Sequence, residues 1–286
     1  MKVGFLGFGE VALNLSGRLT QGGAEVYTSI GNRSAKTRKL AKESTVKICE
    51  DNQALAELSD ILISSVTPEN AVNVAKEVGK YVNGIYVDLN NISPQTAEQA
   101  LGYIENGKTA DAALMGRVRD EKVLILATGE YARQFSILNK YGLQIKVLNH
   151  KPGQAKALKM LRSSYTKSVS ALLFESLYTA YNMGLDEEFL KCLEITEGPH
   201  FKESATSRIK NSAYHSRRKA MEMDEVINFI KNYPDDKLDN DELKKEYQHL
   251  IMVKSAQEFF KKLKNKQNLD EKPENYRELF NLINAE

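Results

Sequence analysis

Met1-Lys2-Val3-Gly4-Phe5-Leu6 runs without a break into Gly7-Phe8-Gly9-Glu10-Val11-Ala12, and this junction decides the fold. The apolar run before Gly7 reads as a short strand, and residues 11–20 return apolar side chains at helical spacing. Between them lies a G-x-G-x-x-A turn. In such a turn the first glycine permits a tight reversal from strand to helix. The second lets the backbone approach a pyrophosphate, and a small third residue lets the helix pack closely on the sheet. The helix that follows points its N–H groups and the positive end of its dipole at the phosphates. Gly7, Phe8, Gly9, Glu10, Val11 and Ala12 therefore read as a dinucleotide cradle.

A chain of 286 residues can build two domains, and a hydrophobic content of 42% is ordinary for a globular protein. Lys and Arg number 40 against 38 Asp and Glu, a net charge of +2 that gives no reason to expect nucleic acid or an acidic membrane as partner. The two cysteines, Cys49 and Cys192, lie far apart, which suits a reduced chain and offers no zinc spacing. A strand opens the chain without a basic leader, and no apolar run is long enough to span a bilayer, so the expected location is the cytoplasm.

Residues 3–6, 25–29, 60–66, 85–89, 110–115, 123–127 and 145–148 read as strands alternating with helical patterns, the signature of a parallel sheet. After Gly153 the pattern is helical only, with helices expected at 154–182, 187–196, 201–232, 240–265 and 276–285. The expected fold is α/β: an N-terminal Rossmann-like doubly wound sheet over residues 1–150 and a C-terminal all-α domain over 151–286.

The end of the second strand selects the cofactor. NAD-binding folds commonly place a carboxylate there for the ribose 2′-hydroxyl, whereas this chain reads Tyr27-Thr28-Ser29-Ile30-Gly31-Asn32-Arg33-Ser34. A guanidinium flanked by amide and hydroxyl donors suits a 2′-phosphate, so Asn32, Arg33 and Ser34 point to NADP. Further segments follow strand ends, where such folds bind ligands. Val66, Thr67 and Pro68 extend the cofactor set; Asn90, Asn91 and Ser93, with Met115, Gly116 and Arg117, form candidate substrate loops.

With these motifs in order, the chain resembles the β-hydroxyacid dehydrogenase family, which includes 3-hydroxyisobutyrate and 6-phosphogluconate dehydrogenases. The second half, with Lys159-Met-Leu-Arg-Ser-Ser-Tyr-Thr-Lys167 and His215-Ser-Arg-Arg218, is similar to an archaeal phosphogluconate-dehydrogenase-like branch. Asp88-Leu-Asn-Asn-Ile-Ser-Pro94 resembles the family's D-x-S-T-x-x-P loop, and Asp111-Ala-Ala-Leu-Met-Gly-Arg117 its D-A-P-V-S-G-G segment. Gly153-Gln-Ala-Lys-Ala-Leu-Lys159 resembles the stretch that ends in the family's catalytic lysine. The resemblance implies NADP-dependent interconversion of a small anionic 3-hydroxy acid, or a related alcohol, and its carbonyl form. It implies Lys159 as general acid/base and pairing of helical domains in a homodimer. Arg162-Ser163 stands where many relatives carry substrate-holding asparagines, and Asn90-Asn91 replaces a Ser-Thr pair, which points to a more anionic substrate.

The lysine also has a rationale of its own. Hydride transfer at a secondary alcohol needs a group that takes the hydroxyl proton or returns it, and a lysine serves when burial and neighbouring cations lower its pKa. Lys156, Lys159, Arg162, Ser163 and Lys167 recur at helical spacing and are expected to share one basic face. His215, Arg217 and Arg218 read as a helical charge cluster, with anion contacts as the alternative. Two other functions remain open: reduction of an imine or aldehyde, and non-catalytic NADPH sensing.

Overall fold

The fold is described from a computed structural model, covering residues 1–31, 33–120, 123–232, 250–265 and 271–285. In chain order the first half comprises β1 (Lys2–Leu6), α1 (Glu10–Gln21), β2 (Glu25–Ser29), α2 (Ala35–Lys42), β3 (Lys47–Cys49), α3 (Asn52–Leu58), β4 (Ile61–Ser64), α4 (Ala71–Val78), β5 (Ile85–Asp88), α5 (Pro94–Leu101), β6 (Thr109–Met115), β7 (Leu124–Thr128), α6 (Ala132–Phe135) and β8 (Ile145–Val147). The second half comprises α7 (Gln154–Asn182), α8 (Asp186–Glu197), α9 (Phe201–Tyr214), α10 (Ser216–Asn232), α11 (Ile251–Asn265) and α12 (Tyr276–Ala285). Two compact units result, Met1–Lys159 and Met160–Glu286, divided within α7.

The first unit is an eight-stranded sheet in the order β3-β2-β1-β4-β5-β6-β7-β8. Strand β1 is covered on both faces, as its uninterrupted apolar sequence requires. Val3 and Phe5 join a core with Leu15 and Leu19 of α1, while Leu6 joins another with Leu55, Val74 and Tyr86. The winding direction reverses between β1 and β4, which pair in parallel with Leu6 opposite Ser64. The glycine turn thus leaves the sheet at its switch point, where open α/β sheets bind ligands.

Three sequence expectations change. The sheet is not wholly parallel, because β6 and β7 pair antiparallel. Only residues 116–123 connect them, too few for a helical crossover. Strand β3 was not anticipated: its brief Lys-Ile-Cys run lies at the sheet edge, carries no apolar alternation and leaves Ile48 exposed. The helix expected over 201–232 breaks at His215. Neither glycine nor proline marks that break; the two parts serve different cores. Ala205, Ile209 and Ala213 pack with Leu177, Leu279 and Phe280, whereas Ala220 and Met223 pack with Ala171, Ala256 and Phe260. The first part of the helix expected over 240–265 lies outside the described residues, and α11 forms the rest.

A buried ionic network joins the start of α7 to the sheet. The Lys156 ammonium lies between Asp88, at 2.8 Å, and Asp111, and also donates to the carbonyls of Asp88 (3.0 Å) and Ala112 (3.2 Å). The side chains are 2% exposed for Lys156 and 0% for both aspartates. Burial alone would lower the lysine pKa, but the two carboxylates raise it above its ordinary value. Their remaining lone pairs are met by Asn90, which donates through its backbone N–H and side-chain amide to Asp88, and by Thr128 Oγ1 and Gly153 N, which donate to Asp111. Such a network is stable only when complete.

In the helical unit, Asp186 at the first turn of α8 accepts hydrogen bonds of 2.7 Å from Tyr276 Oη and from Arg277 Nε on α12. Burial pushes its carboxyl up, and these bonds outweigh that effect and hold it below the ordinary aspartate value.

Lys156→Met should leave two buried carboxylates without their cation and reduce unfolding free energy by about 3–5 kcal/mol in chemical denaturation. Asp186 stabilises the fold above the ordinary aspartate pKa of about 4, and that contribution is lost as pH falls below it. Arg277→Ala should therefore weaken the protein at neutral pH by about 1–2 kcal/mol and move its acid-unfolding midpoint to higher pH, read by circular dichroism.

Candidate functional site

The glycine turn has the conformation its sequence demands. Gly7 has φ of +82°, and a Cβ there would lie 2.8 Å from Val66 Cγ1 and 2.9 Å from the Ser65 carbonyl oxygen. Both backbone and space require glycine. Gly9 is extended and caps α1 without a side-chain hydrogen bond, and a Cβ built on it would meet nothing within 4 Å. The space beside Gly9 at the start of α1 is thus open, as close approach of an anion to the helix N-terminus requires. Phe8 and Ala12 are buried in the sheet core and Val11 is half-buried, so these residues shape the turn through backbone and packing. The exposed Glu10 carboxylate pairs with Arg119 at 2.6 Å, which offsets its charge at the helix end.

Beyond β2, Arg33 is half-buried, and its Nε is a buried donor with no hydrogen-bond partner among the described residues. An unbonded guanidinium N–H is the group an oxyanion would satisfy. Ser34 Oγ caps α2 by accepting from Thr37 N at 3.2 Å. Asn32 lies outside the described residues. The open cradle and the orphaned Arg33 donor together fit a phosphorylated dinucleotide.

The next strand ends are tied to one another. Ser65 Oγ donates to the Gly7 carbonyl at 3.0 Å, and Val66 N donates to Asn90 Oδ1 at 2.8 Å. Thr67 and Pro68 are exposed, with Thr67 Oγ1 accepting from Asn70. Asn90, read from the sequence as a substrate contact, is buried, and its amide also donates to Ser64 and Asp88. It holds the β4 and β5 loops together from behind. Asn91 is exposed beside it, and Ser93 caps α5 by accepting from Thr96 N at 3.1 Å. Met115 is the half-buried last residue of β6, followed by exposed Gly116 and Arg117. The loop is fastened to α1 by Arg18 Nη2, which donates to the carbonyls of Val118 (2.9 Å) and Asp120 (2.7 Å).

Helix α7 departs from the expected basic stripe. Lys156 turns inward to its carboxylates, so its charge is matched and is not shared with Lys159. Lys167 is turned to Ser163 Oγ, at 2.7 Å, and to Glu222. Lys159 is half-buried one turn after Lys156, and Arg162 is exposed one turn further on. Sequence reasoning therefore missed the Lys156 anchor, the Asn90 lock and the Arg18 clamp. One signal was available: Asp88 and Asp111 interrupt apolar strands, and a carboxylate at a buried strand position needs a cation or donors. Among the described residues, no group of three or more His, Cys, Asp or Glu could hold a metal ion. None of their helices is long and apolar enough to cross a membrane.

Comparison with known proteins agrees with this arrangement. Residues 2–91 match the family described as NADP oxidoreductase, coenzyme F420-dependent, and residues 180–250 match a domain of unknown function, DUF1932. An uncharacterised 28.5 kDa protein in the 7S RNA 5′ region of Methanothermus fervidus is 46% identical over 230 residues, spanning 80% of this chain and 91% of the relative. A solved conserved protein of unknown function, whose structure reveals similarity with 3-hydroxyacid dehydrogenases, is 43% identical, with 93% of this chain and 97% of that one covered at a TM-score of 0.78. The 3-hydroxyisobutyrate dehydrogenase of Mycobacterium tuberculosis shares the fold at 14% identity, covering 99% of this chain and 98% of its own, with a TM-score of 0.75. The chain belongs to the 3-hydroxyacid dehydrogenase-like family and is a nicotinamide-dependent dehydrogenase or reductase.

Proposed function

We propose that the protein is an NADP-dependent oxidoreductase that interconverts a small anionic 3-hydroxy acid, or a related alcohol, and its carbonyl form. The observation that carries the cofactor reading is the orphaned Nε of Arg33 beyond β2. Gly7, Gly9 and the start of α1 would hold the pyrophosphate, Arg33 and Ser34 the 2′-phosphate, and Val66, Thr67 and Pro68 would flank the nucleotide. When bound, the nicotinamide accepts or supplies hydride at C4.

The remaining work falls to the protein. Lys159 removes the hydroxyl proton as the alcohol is oxidised and returns it to the carbonyl oxygen in the reverse direction. The anchoring of Lys156 supports this role, because a helix fixed one turn earlier restricts where the Lys159 amine can reach. Asn91 and Ser93 offer polar contacts, and the exposed Arg117 guanidinium suits a substrate carboxylate. Arg162, exposed and one turn beyond Lys159, adds positive charge along the same helix. A homodimer is part of the reading, supported by the exposed Leu161, Tyr165 and Leu172 along one stripe of α7.

Lys159→Ala should lower kcat for a responsive hydroxy acid by roughly 10²-fold or more while NADPH affinity stays within about two-fold, as loss of a general acid/base requires. Turnover equal to that of the unmodified protein would exclude Lys159 from the proton transfer. Arg33→Ala should reduce the NADP/NAD affinity ratio roughly ten-fold, measured by fluorescence titration. An unchanged ratio would remove Arg33 from 2′-phosphate recognition.

A further inference from the structure

The helical unit contains a cluster of cations that has no part in the proposed proton transfer. Lys167 of α7 is largely buried; its ammonium donates to Ser163 Oγ and pairs with Glu222 Oε2 at 2.9 Å. Glu222 is shared, since Arg218 Nε approaches its other oxygen at 3.5 Å. Lys219, half-buried, donates to Ser212 Oγ at 2.8 Å, and its ammonium lies 5.2 Å from the Phe260 ring centroid. Among the described residues Lys219 makes no ion pair. One carboxylate therefore serves Lys167 and Arg218, while Lys219 has a hydroxyl and an aromatic ring.

The surroundings increase this imbalance. Burial first, then the charges of Lys167, Arg218 and Arg208, lower the Lys219 pKa to about 8 against the opposing effect of Glu222. His215, at the start of α10, is also depressed, by burial and then by Arg218, Lys219 and Lys272, with Glu222 opposing. An ammonium carries three N–H donors and is rarely buried without an anionic partner. Ser212 Oγ spends its own proton on the Arg208 carbonyl at 2.7 Å and only accepts from Lys219, so the amines themselves supply the donors for charge-assisted bonds to an oxyanion.

We propose that Lys219 and Lys167, with Arg218 at the exposed edge, form an oxyanion-binding site for the phosphoryl or carboxylate group of a small molecule. The site stands on the helical unit alone. It gives the anionic-substrate reading a class of ligand, and either can fail without the other. Binding favours the charged amine, so affinity falls as pH rises through the Lys219 pKa, and proton uptake accompanies binding near that pH.

Calorimetric titration of the full chain with inorganic phosphate and with malonate, at matched ionic strength, tests the site and separates the phosphoryl from the carboxylate arm. Saturable binding is expected with at least one anion, weaker by roughly ten-fold at about pH 9 than at about pH 7. Lys219→Met should lose roughly ten-fold or more in affinity. Its thermal midpoint without anion should equal or exceed that of the unmodified protein, because a buried charge beside Lys167 is gone. Lys219→Arg should retain binding and lose the pH dependence. Absence of saturable binding by either anion, unchanged affinity in Lys219→Met, or equally poor binding by Lys219→Arg would overturn the proposal.

Discussion

The ammonium of Lys156 between Asp88 and Asp111 is the interaction on which the arrangement of the first unit depends. It joins the carboxyl end of β5, the middle of β6 and the first turn of α7, which are far apart in the chain. Three buried charges are a poor way to gain stability, since well-packed apolar residues of similar volume often do as well. The gain here is direction. Only one rotation of the helix lets a single amine reach both carboxylates and two carbonyl oxygens, and that rotation fixes where side chains one turn later leave the helix. Lys159 is such a side chain.

A similar division between frame and contact runs through the strand ends. Asn90, Ser65 and Arg18 hydrogen-bond to neighbouring loops, whereas Gly9, Asn91 and Arg117 present backbone or side chain outward. The engaged residues hold the loops at fixed separations, and the outward ones are free to meet a ligand. Arg33 combines the two: it is half-buried, yet its Nε has no partner among the described residues. In a chain of nearly balanced charge, such local donors, rather than the overall field, must provide anion recognition.

Much of this was legible in the sequence where a single local rule governed the outcome. The glycine turn could be read because strand, turn and helix occur in the order the motif needs. The bounds of α7 could be read because Gly153 precedes it, Gly184 follows it and no breaker lies between. Strand β3 was hidden because an edge strand of so few residues carries no periodicity. The break at His215 was hidden because tertiary packing against two cores causes it, without a turn residue. Lys156 and Lys159 have the same residue type and share a helix, so periodicity alone could not tell which turns inward. The decision lies in Asp88 and Asp111, far away in sequence, and spacing along one helix cannot report a partner on another element.

The central claim is that the N-terminal unit is a working nicotinamide dinucleotide site selective for the 2′-phosphate. A fluorescence titration of the purified protein with NADPH and NADH tests it most directly. Saturable binding of NADPH, tighter than that of NADH by roughly ten-fold or more, is the result the cradle and Arg33 require. No binding of either nucleotide, or equal affinity for both, would contradict it.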